Sequence, residues 1–486
     1  MGNVLGHLEP KLVWNHFEEI CKYPRPSKKE EKIAEYVVSV GKRLGLETEK
    51  DKFGNILIRK PATRGKENLK TVVLQSHIDM VCEKNRGVEH DFDKDPIQPS
   101  IEGDWVKAKG TTLGADNGIG VAASLAVLES NEIEHGPIEA LFTLDEETGL
   151  TGAFNLKKGW LKADILINMD SEEIGIIFIG CSGGKDTLAK LKAKMEKSPK
   201  NYSSFEIKVD GLKGGHSGID IQIGRGNAVK ILNRLLWEYS QENKIRLATI
   251  NGGSKHNAIP REAFAVVAVP KKDIKKIKKF VSRYNKTVKA EYSVVEPNLS
   301  VSIGKHEMPE KFIGEKIQRN LTNALYAIPH GVTKMSNDIP GLVETSNNLA
   351  VVETVGKHVN IVTSQRSSVE SERVDITNMV TSVLSLAGGN VTYTDGYPGW
   401  KPDIDSDILK VFKYTFKQMY GKEPEVTAIH AGLECGIIKE KYPDMDMISF
   451  GPTMVGVHSP DEKLQISTVP EFYNQLVNVL KNIPSN

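Results

Sequence analysis

Only four cysteines occur in 486 residues, Cys21, Cys82, Cys181 and Cys435, and none has the spacing of a paired metal site or a disulfide framework. They read as reduced thiols, which predicts a cytoplasmic protein. No apolar run is long enough to span a bilayer. The opening residues 1–14, MGNVLGHLEPKLVW, lack the basic stretch and apolar core of a secretory leader, and Gly6 stands where a myristoylation motif wants Ser or Thr. Charge of one sign is also missing. Lys and Arg total 64, Asp and Glu 63, so a formal net charge of +1 gives no pull toward nucleic acid or an anionic membrane. Phosphate-loop signatures are absent as well. The glycine-rich stretch 110–120, GTTLGADNGIG, matches neither GxGxxG nor GxxxxGK[ST] and carries a carboxylate, which argues against phosphate. What remains is an ordinary globular composition, 39% hydrophobic and 26% charged, at a length that suggests about three domains.

The residues that are present gather around 141–152, LFTLDEETGLTG. An apolar run at 138–144 has the length of a buried strand and ends in Asp145, Glu146 and Glu147. Three like charges there repel one another and cost desolvation; a bound cation relieves that, and so does plain exposure as an acidic turn. Two other apolar runs end in similar residues. The run 71–75 leads directly to Ser76-His77-Ile78-Asp79, and 164–167 leads to Asn168-Met169-Asp170. Asp116 lies on the glycine-rich loop that enters an apolar helix at 119–128. Nearer the N-terminus, 12–21 reads as an amphipathic helix, and Ser27 with Glu30 looks like the capping box of a second helix. Interleaved strands and helices predict an α/β domain with a mostly parallel mixed sheet, whose ligand site lies beyond the carboxyl ends of the strands.

From about residue 186 the pattern changes. Strand-like runs at 205–209, 245–250, 264–269, 349–354 and 359–364 alternate with helices at 227–239, 271–279 and 369–386. This predicts an inserted α+β domain, and 397–402, YPGWKP, reads as the linker out of it. The α/β pattern then returns, and Gly456-Val457-His458-Ser459-Pro460 follows a strand at 447–450. The economical layout is a discontinuous first domain, 1–185 plus 399–486, interrupted by 186–398.

His77, Asp116, Glu147, Asp170 and His458 thus form a candidate ligand set. Two imidazoles and three carboxylates suit zinc, cobalt or manganese better than calcium. Five protein ligands exceed the three of a single catalytic zinc and fit a pair of ions. Asp79 is placed to accept from the other ring nitrogen of His77. Glu146 is left without a ligand role, where a general base is needed.

The motifs S-H-I-D-M, L-G-A-D-N-G-I-G, D-E-E-T-G-L-T-G-A, N-M-D-S-E-E and G-V-H-S-P-D-E resemble those of the aminoacylase and carboxypeptidase family of two-metal peptidases. The likeness runs almost end to end and includes W-N-H-F-E-E-I, K-F-G-N-I-L-I and H-A-G-L-E-C-G. It is strongest toward the branch that cuts Xaa-His dipeptides, β-alanyl-histidine among them. The resemblance implies His77 and Asp170 on one metal, Glu147 and His458 on the other, Asp116 bridging, and a cis peptide after Asp116. It implies Asp79 as the residue orienting His77 and Glu146 as the general acid/base. The inserted domain resembles the family's lid and dimerisation domain. His216 in G-G-H-S-G then stabilises an oxyanion, Asn257 in H-N-A-I-P makes a second polar contact, and Arg366 in S-Q-R-S-S grips the substrate's terminal carboxylate. The insertion is about twice the usual lid size, which leaves open both a homodimer and whether His216 acts within its own chain. Glu434 has no assigned role. The rival readings are an N-acyl-amino-acid deacylase of the same family and a non-catalytic metal-binding module; the presence of Glu146 argues against the second.

Overall fold

A computed structural model describes residues 4–485. Its Cα packing separates the chain into two compact units. One runs to Gly180 and resumes with Trp400–Ala428 and again from Leu433; the other holds Cys181–Gly399 and the short piece Ile429–Gly432.

The first unit is built on an eight-stranded mixed sheet. Its strands lie in the order Glu47–Lys50, Ile56–Lys60, Ile138–Thr143, Val72–His77, Ile165–Asn168, Asp446–Ser449, Ile176–Cys181 and Glu425–Ile429. The three central pairings, among Ile138–Thr143, Val72–His77, Ile165–Asn168 and Asp446–Ser449, are parallel. Strands covered on both faces need near-continuous apolar runs, and Val72–His77, Ile138–Thr143 and Ile165–Asn168 are buried at every position. Helix Ala115–Glu129 packs against helix Lys11–Ile20 and strand Val72–His77. It is rich in Ala and Gly and buried almost throughout, so its backbone can approach both neighbours closely.

Parallel register decides where chemistry can sit. His77 pairs with Thr143, and Gln75 with Asn168, so the three strands finish at one edge of the sheet. The candidate residues do not all stand at the strand ends themselves. His77 closes its strand, but Asp170 comes two residues after Ile165–Asn168, and Glu146 and Glu147 open the helical turn Glu146–Gly149. Asp145 enters that turn in the left-handed region, φ 49°.

The second unit holds a nine-stranded antiparallel sheet, in the order Ser300–Lys305, Tyr202–Asp210, Ala263–Pro270, Arg246–Gly252, Val343–Val355, His358–Ser367, Gly183–Lys192 and Gly389–Tyr393, with Gly331–Met335 also paired to Val343–Val355. Helices Ala228–Glu242, Ile274–Glu291, Glu315–Ala327 and Glu370–Leu386 contribute Leu232, Leu235, Val281, Leu325 and Val380 to one core with the sheet residues Phe205, Ile207 and Val267. Each such fully buried aliphatic or aromatic side chain stabilises by about 1.5–3 kcal/mol relative to exposure.

Two local expectations are corrected. The stretch 397–402 is not a loose linker: Tyr397 exchanges backbone hydrogen bonds with Gly184, 3.0 and 2.9 Å, and Trp400 is buried. Ser27 and Glu30 do not form a capping box. The helix is Glu31–Arg43, its N-cap is Glu30, and no side chain caps it. The Ser27 hydroxyl instead donates to Asp79, and Glu30 accepts from the backbone N–H of Lys28 and Asp145. Among the described residues no helix is long and apolar enough to cross a membrane.

Candidate active site

In the first unit the side chains of His77, Asp116, Glu146, Glu147, Asp170 and His458 converge beyond the strand ends. Asp116 divides its carboxylate between the two imidazoles: Oδ1 lies 3.2 Å from His77 Nε2, and Oδ2 lies 3.1 Å from His458 Nε2. Each imidazole nitrogen also meets a second carboxylate, His77 at Asp170 Oδ1, 3.3 Å, and His458 at Glu147 Oε2, 3.2 Å. Two ligand sets that share Asp116 are thereby formed, His77–Asp116–Asp170 and Asp116–Glu147–His458. Glu146 is outside these two sets and forms a third group of ligand-type side chains with His77 and Glu147.

The charges show what the cluster accommodates. Burial alone would lower the His77 imidazolium, yet the carboxylates of Asp170, Asp116 and Asp79 outweigh it and hold the group well above its ordinary range. Hydrogen bonds to Asp116 and Glu147 lift His458 to about 11. Burial pushes Glu146 well above the ordinary carboxylate range; Asp170, Glu434 and Glu147 add to that and His77 opposes it. Asp170 is raised first by burial as well. The gathered carboxylates thus favour positive charge among them. Glu147 Oε1 is buried without a partner. Neutral imidazole and ionised carboxylate are what a divalent ion needs, so the donor set fits a pair of such ions.

A buried frame holds the donors in place. Asp79 bonds His77 Nδ1 through Oδ1, 3.2 Å, which leaves Nε2 facing the cluster. The same carboxylate accepts from Ser27 Oγ and from the backbone N–H of Glu146 and Glu147, at 2.8, 3.1 and 3.2 Å, so it also fixes the acidic turn. Asp145 in turn takes the hydroxyls of Thr148 and Thr151. Glu462 is buried and accepts from four consecutive backbone N–H groups, Leu113, Gly114, Ala115 and Asp116, at 2.7, 2.9, 2.7 and 3.3 Å. That pins the loop carrying Asp116, whose peptide bond to Asn117 is cis. Asn117 Nδ2 donates to Met169 O and to Asp170 Oδ1, 2.7 and 2.5 Å. Arg25 donates to the carbonyls of Asp79 and Gly114 and ties two site loops together. Glu434, fully buried, accepts from Gln75 Nε2 and Thr143 Oγ1, both at 2.6 Å; burial first raises it to about 7.

Arg25, Asn117 and Glu462 were not singled out by sequence reasoning. Glu462 closes the motif that supplies His458 and Asn117 follows Asp116, so both were within the quoted motifs. Arg25 left no signal, because a lone arginine between two prolines reads as surface.

The second unit carries a separate polar cluster. His216 Nδ1 accepts from the backbone N–H of Gly218 and Ile219, 3.2 and 3.3 Å, which assigns the proton of the neutral ring to Nε2. Burial first, then the Arg366 charge, lowers His216 to about 4, so the ring is neutral near neutrality. His216 forms an antiparallel bridge with Ala258, and Ser217 N donates to Asn257 O at 2.8 Å; Asn257 is thus tied to the His216 loop. Arg366 is 6% exposed, donates from Nη1 to Tyr397 Oη at 2.8 Å, and keeps a buried Nε without a partner.

Residues 73–482 match the description of peptidase family M20/M25/M40. The cytosol non-specific dipeptidase of Escherichia coli (strain K12) is 46% identical over 481 residues, 99% of this chain and 99% of that protein. The crystal structure of the aminoacylhistidine dipeptidase from Vibrio alginolyticus is similar with a TM-score of 0.94 at 46% identity, covering 99% of this chain and 98% of that one. A tripeptidase from Staphylococcus aureus shares the fold, with a TM-score of 0.57 at 16% identity over 98% of this chain and 99% of its own.

Proposed function

Because this chain belongs to peptidase family M20/M25/M40, we propose that it is a two-metal dipeptidase that hydrolyses Xaa-His dipeptides, β-alanyl-histidine among them. The observation that carries the reading is the division of Asp116 between two imidazole–carboxylate pairs, with Glu146 close to His77 and Glu147. His77 and Asp170 would hold one ion, Glu147 and His458 the other, and Asp116 would bridge. A pair of divalent ions, zinc or else cobalt or manganese, supplies Lewis acidity and lowers the pKa of water at the site toward neutrality.

The chain's own residues supply the rest. Glu146 takes the proton of the attacking water and later delivers it to the leaving amine. Its burial favours both steps, since a carboxyl raised out of the ordinary range is a stronger base when ionised and keeps a proton long enough to pass it on. Asp79 keeps His77 in one tautomer and holds the backbone of Glu146, so the base and the nearest imidazole are oriented by one group. His216, neutral with a proton on Nε2, donates to the developing oxyanion, and Asn257 adds a second polar contact. Arg366 pairs with the free carboxylate of a short peptide, which limits the length of peptide accepted. The names of the two similar dipeptidases differ in breadth: one is a non-specific dipeptidase, the other an aminoacylhistidine dipeptidase. The name of the first supports a cytoplasmic setting.

The deciding assay loads the protein with zinc or cobalt and compares β-alanyl-histidine, other dipeptides, a tripeptide and N-acetyl amino acids. The proposal expects dipeptides to be cut, those ending in histidine fastest, and the tripeptide and N-acetyl compounds poorly. Preferred cleavage of N-acetyl amino acids would replace it with a deacylase, and equal rates on all dipeptides would remove the histidine preference.

A further inference from the structure

We propose that Tyr397 is a substrate-binding residue that gives a second hydrogen bond to the free carboxylate of the dipeptide, beside Arg366. The proposal rests on the reading of Arg366 as the carboxylate grip. Its own basis is a row of residues across the sheet of the second unit. Ser346 pairs with Arg366 between strands Val343–Val355 and His358–Ser367, and Arg366 pairs with Gly184 on Gly183–Lys192. Tyr397 extends the row by one place, through N–H to O bonds in both directions with Gly184. Residues in such register present their side chains on one face, and Tyr397 and Arg366 do meet, Nη1 donating to Oη at 2.8 Å.

That direction matters. A phenol has one proton and can also accept. Since Tyr397 Oη accepts from Arg366, its own proton is turned toward another acceptor. Arg366 has spent Nη1 on the tyrosine, and Nη2 makes no hydrogen bond among the described residues. A carboxylate has two oxygens. Nη2 of Arg366 serves one and the hydroxyl of Tyr397 the other, so the pair presents two donors to one anion.

The tyrosine is also held rigidly enough to serve this way. A side-chain carbon at Gly184 would lie 2.6 Å from the Tyr397 ring, and one at Gly432 would lie 2.7 Å from it. Both positions are glycine, and the ring lies between two bare backbones that fix its orientation. A donor fixed before binding loses little rotational freedom on contact.

The test compares a dipeptide with its C-terminal amide on four metal-loaded proteins: wild type, Tyr397→Phe, Arg366→Ala and the double variant. Phenylalanine keeps the ring between the two glycines, and an unchanged thermal midpoint checks that it does. For Tyr397→Phe, KM on the free dipeptide should rise about tenfold or more, the worth of a hydrogen bond to a charged group, with kcat and the amide's KM unchanged. In the Arg366→Ala background the hydroxyl should still count, so the double variant should have a higher KM than Arg366→Ala on the free dipeptide. If the double variant matches Arg366→Ala, Tyr397 only braces the arginine and the proposal is overturned. Equal losses on dipeptide and amide from Tyr397→Phe overturn it too, while leaving the arginine grip intact. Equal losses on both substrates from Arg366→Ala would instead remove the grip reading itself.

Discussion

Glu462 makes the sharpest structural prediction, because one carboxylate holds four backbone donors. Its Oε2 accepts from Leu113 and Gly114 at 2.7 and 2.9 Å, and its Oε1 from Ala115 and Asp116 at 2.7 and 3.3 Å. Glu462→Gln keeps the shape and one acceptor. It places an amide NH2 opposite the two remaining N–H groups, so the strong bond to Ala115 is lost and two donors face each other in a buried site. A hydrogen bond to a charged group is worth about 1.5–3 kcal/mol, and an unsatisfied buried donor costs about 1–3 kcal/mol. Local destabilisation of about 2–4 kcal/mol follows, and the loop carrying Asp116 bears it. Backbone hydrogen exchange over 113–116 reads that loop directly. Exchange there should quicken roughly 30- to 700-fold, at one decade per 1.4 kcal/mol. Metal affinity should fall with it, because the bridging carboxylate is no longer held. Unchanged exchange over 113–116 together with wild-type metal content would refute the role of Glu462.

Asp79→Asn should lower kcat about 10- to 100-fold at saturating metal, because one substitution loosens His77 and the backbone of Glu146 and Glu147 together; wild-type kcat would contradict this. His216→Ala should lower kcat about 10²–10³-fold, the usual worth of an oxyanion donor. His216 is lowered to about 4, so it gains a proton only well below neutrality. The variant should therefore lose rate without losing an ionisation between about pH 6 and 8 in its kcat profile, and a missing acid limb there would show that the ring titrates during turnover. His430 tests linkage within the second unit. Burial first, then the charges of Arg366 and His216, lower it from 6.5 to about 3. A lowered histidine stabilises fully above its unfolded value, and the unfolded chain takes up the proton first as pH falls. Stability from His430 is therefore lost between about pH 6.5 and 3. His430→Gln should flatten the acid decline of the thermal midpoint over that window, and an unchanged slope would contradict the assignment.

The α/β pattern and the candidate ligand cluster were legible in the sequence for a physical reason. A strand covered on both faces needs an unbroken apolar run, so His77 and the acids after 138–143 and 165–168 stand out at the ends of such runs. The cis peptide after Asp116 came from the family resemblance and not from any local pattern. The frame was less legible. Ser27 and Glu30 have the spacing of a helix cap, yet they serve Asp79 and the backbone of Asp145, because partners more than 50 residues away outcompete the local backbone. Arg25 is buried against the carbonyls of Asp79 and Gly114, a non-local arrangement that periodicity cannot express. Tyr397 read as linker because proline and glycine follow it. The same glycine-rich surroundings, Gly184 and Gly432, are what let its ring sit between two backbones.

The central claim is that two adjacent glutamates do different work, Glu147 as a ligand and Glu146 as the acid/base. Bound metal measured beside kcat in Glu146→Gln and Glu147→Gln tests it most directly. Glu146→Gln should keep about two ions per chain and lose about 10²–10⁴-fold in kcat or more, since glutamine cannot move a proton. Glu147→Gln removes an anionic donor, so metal content should fall, and added zinc or cobalt should restore part of the activity. Loss of metal from Glu146→Gln with retention in Glu147→Gln would reverse the two assignments, and full metal and full activity in both would contradict the account outright.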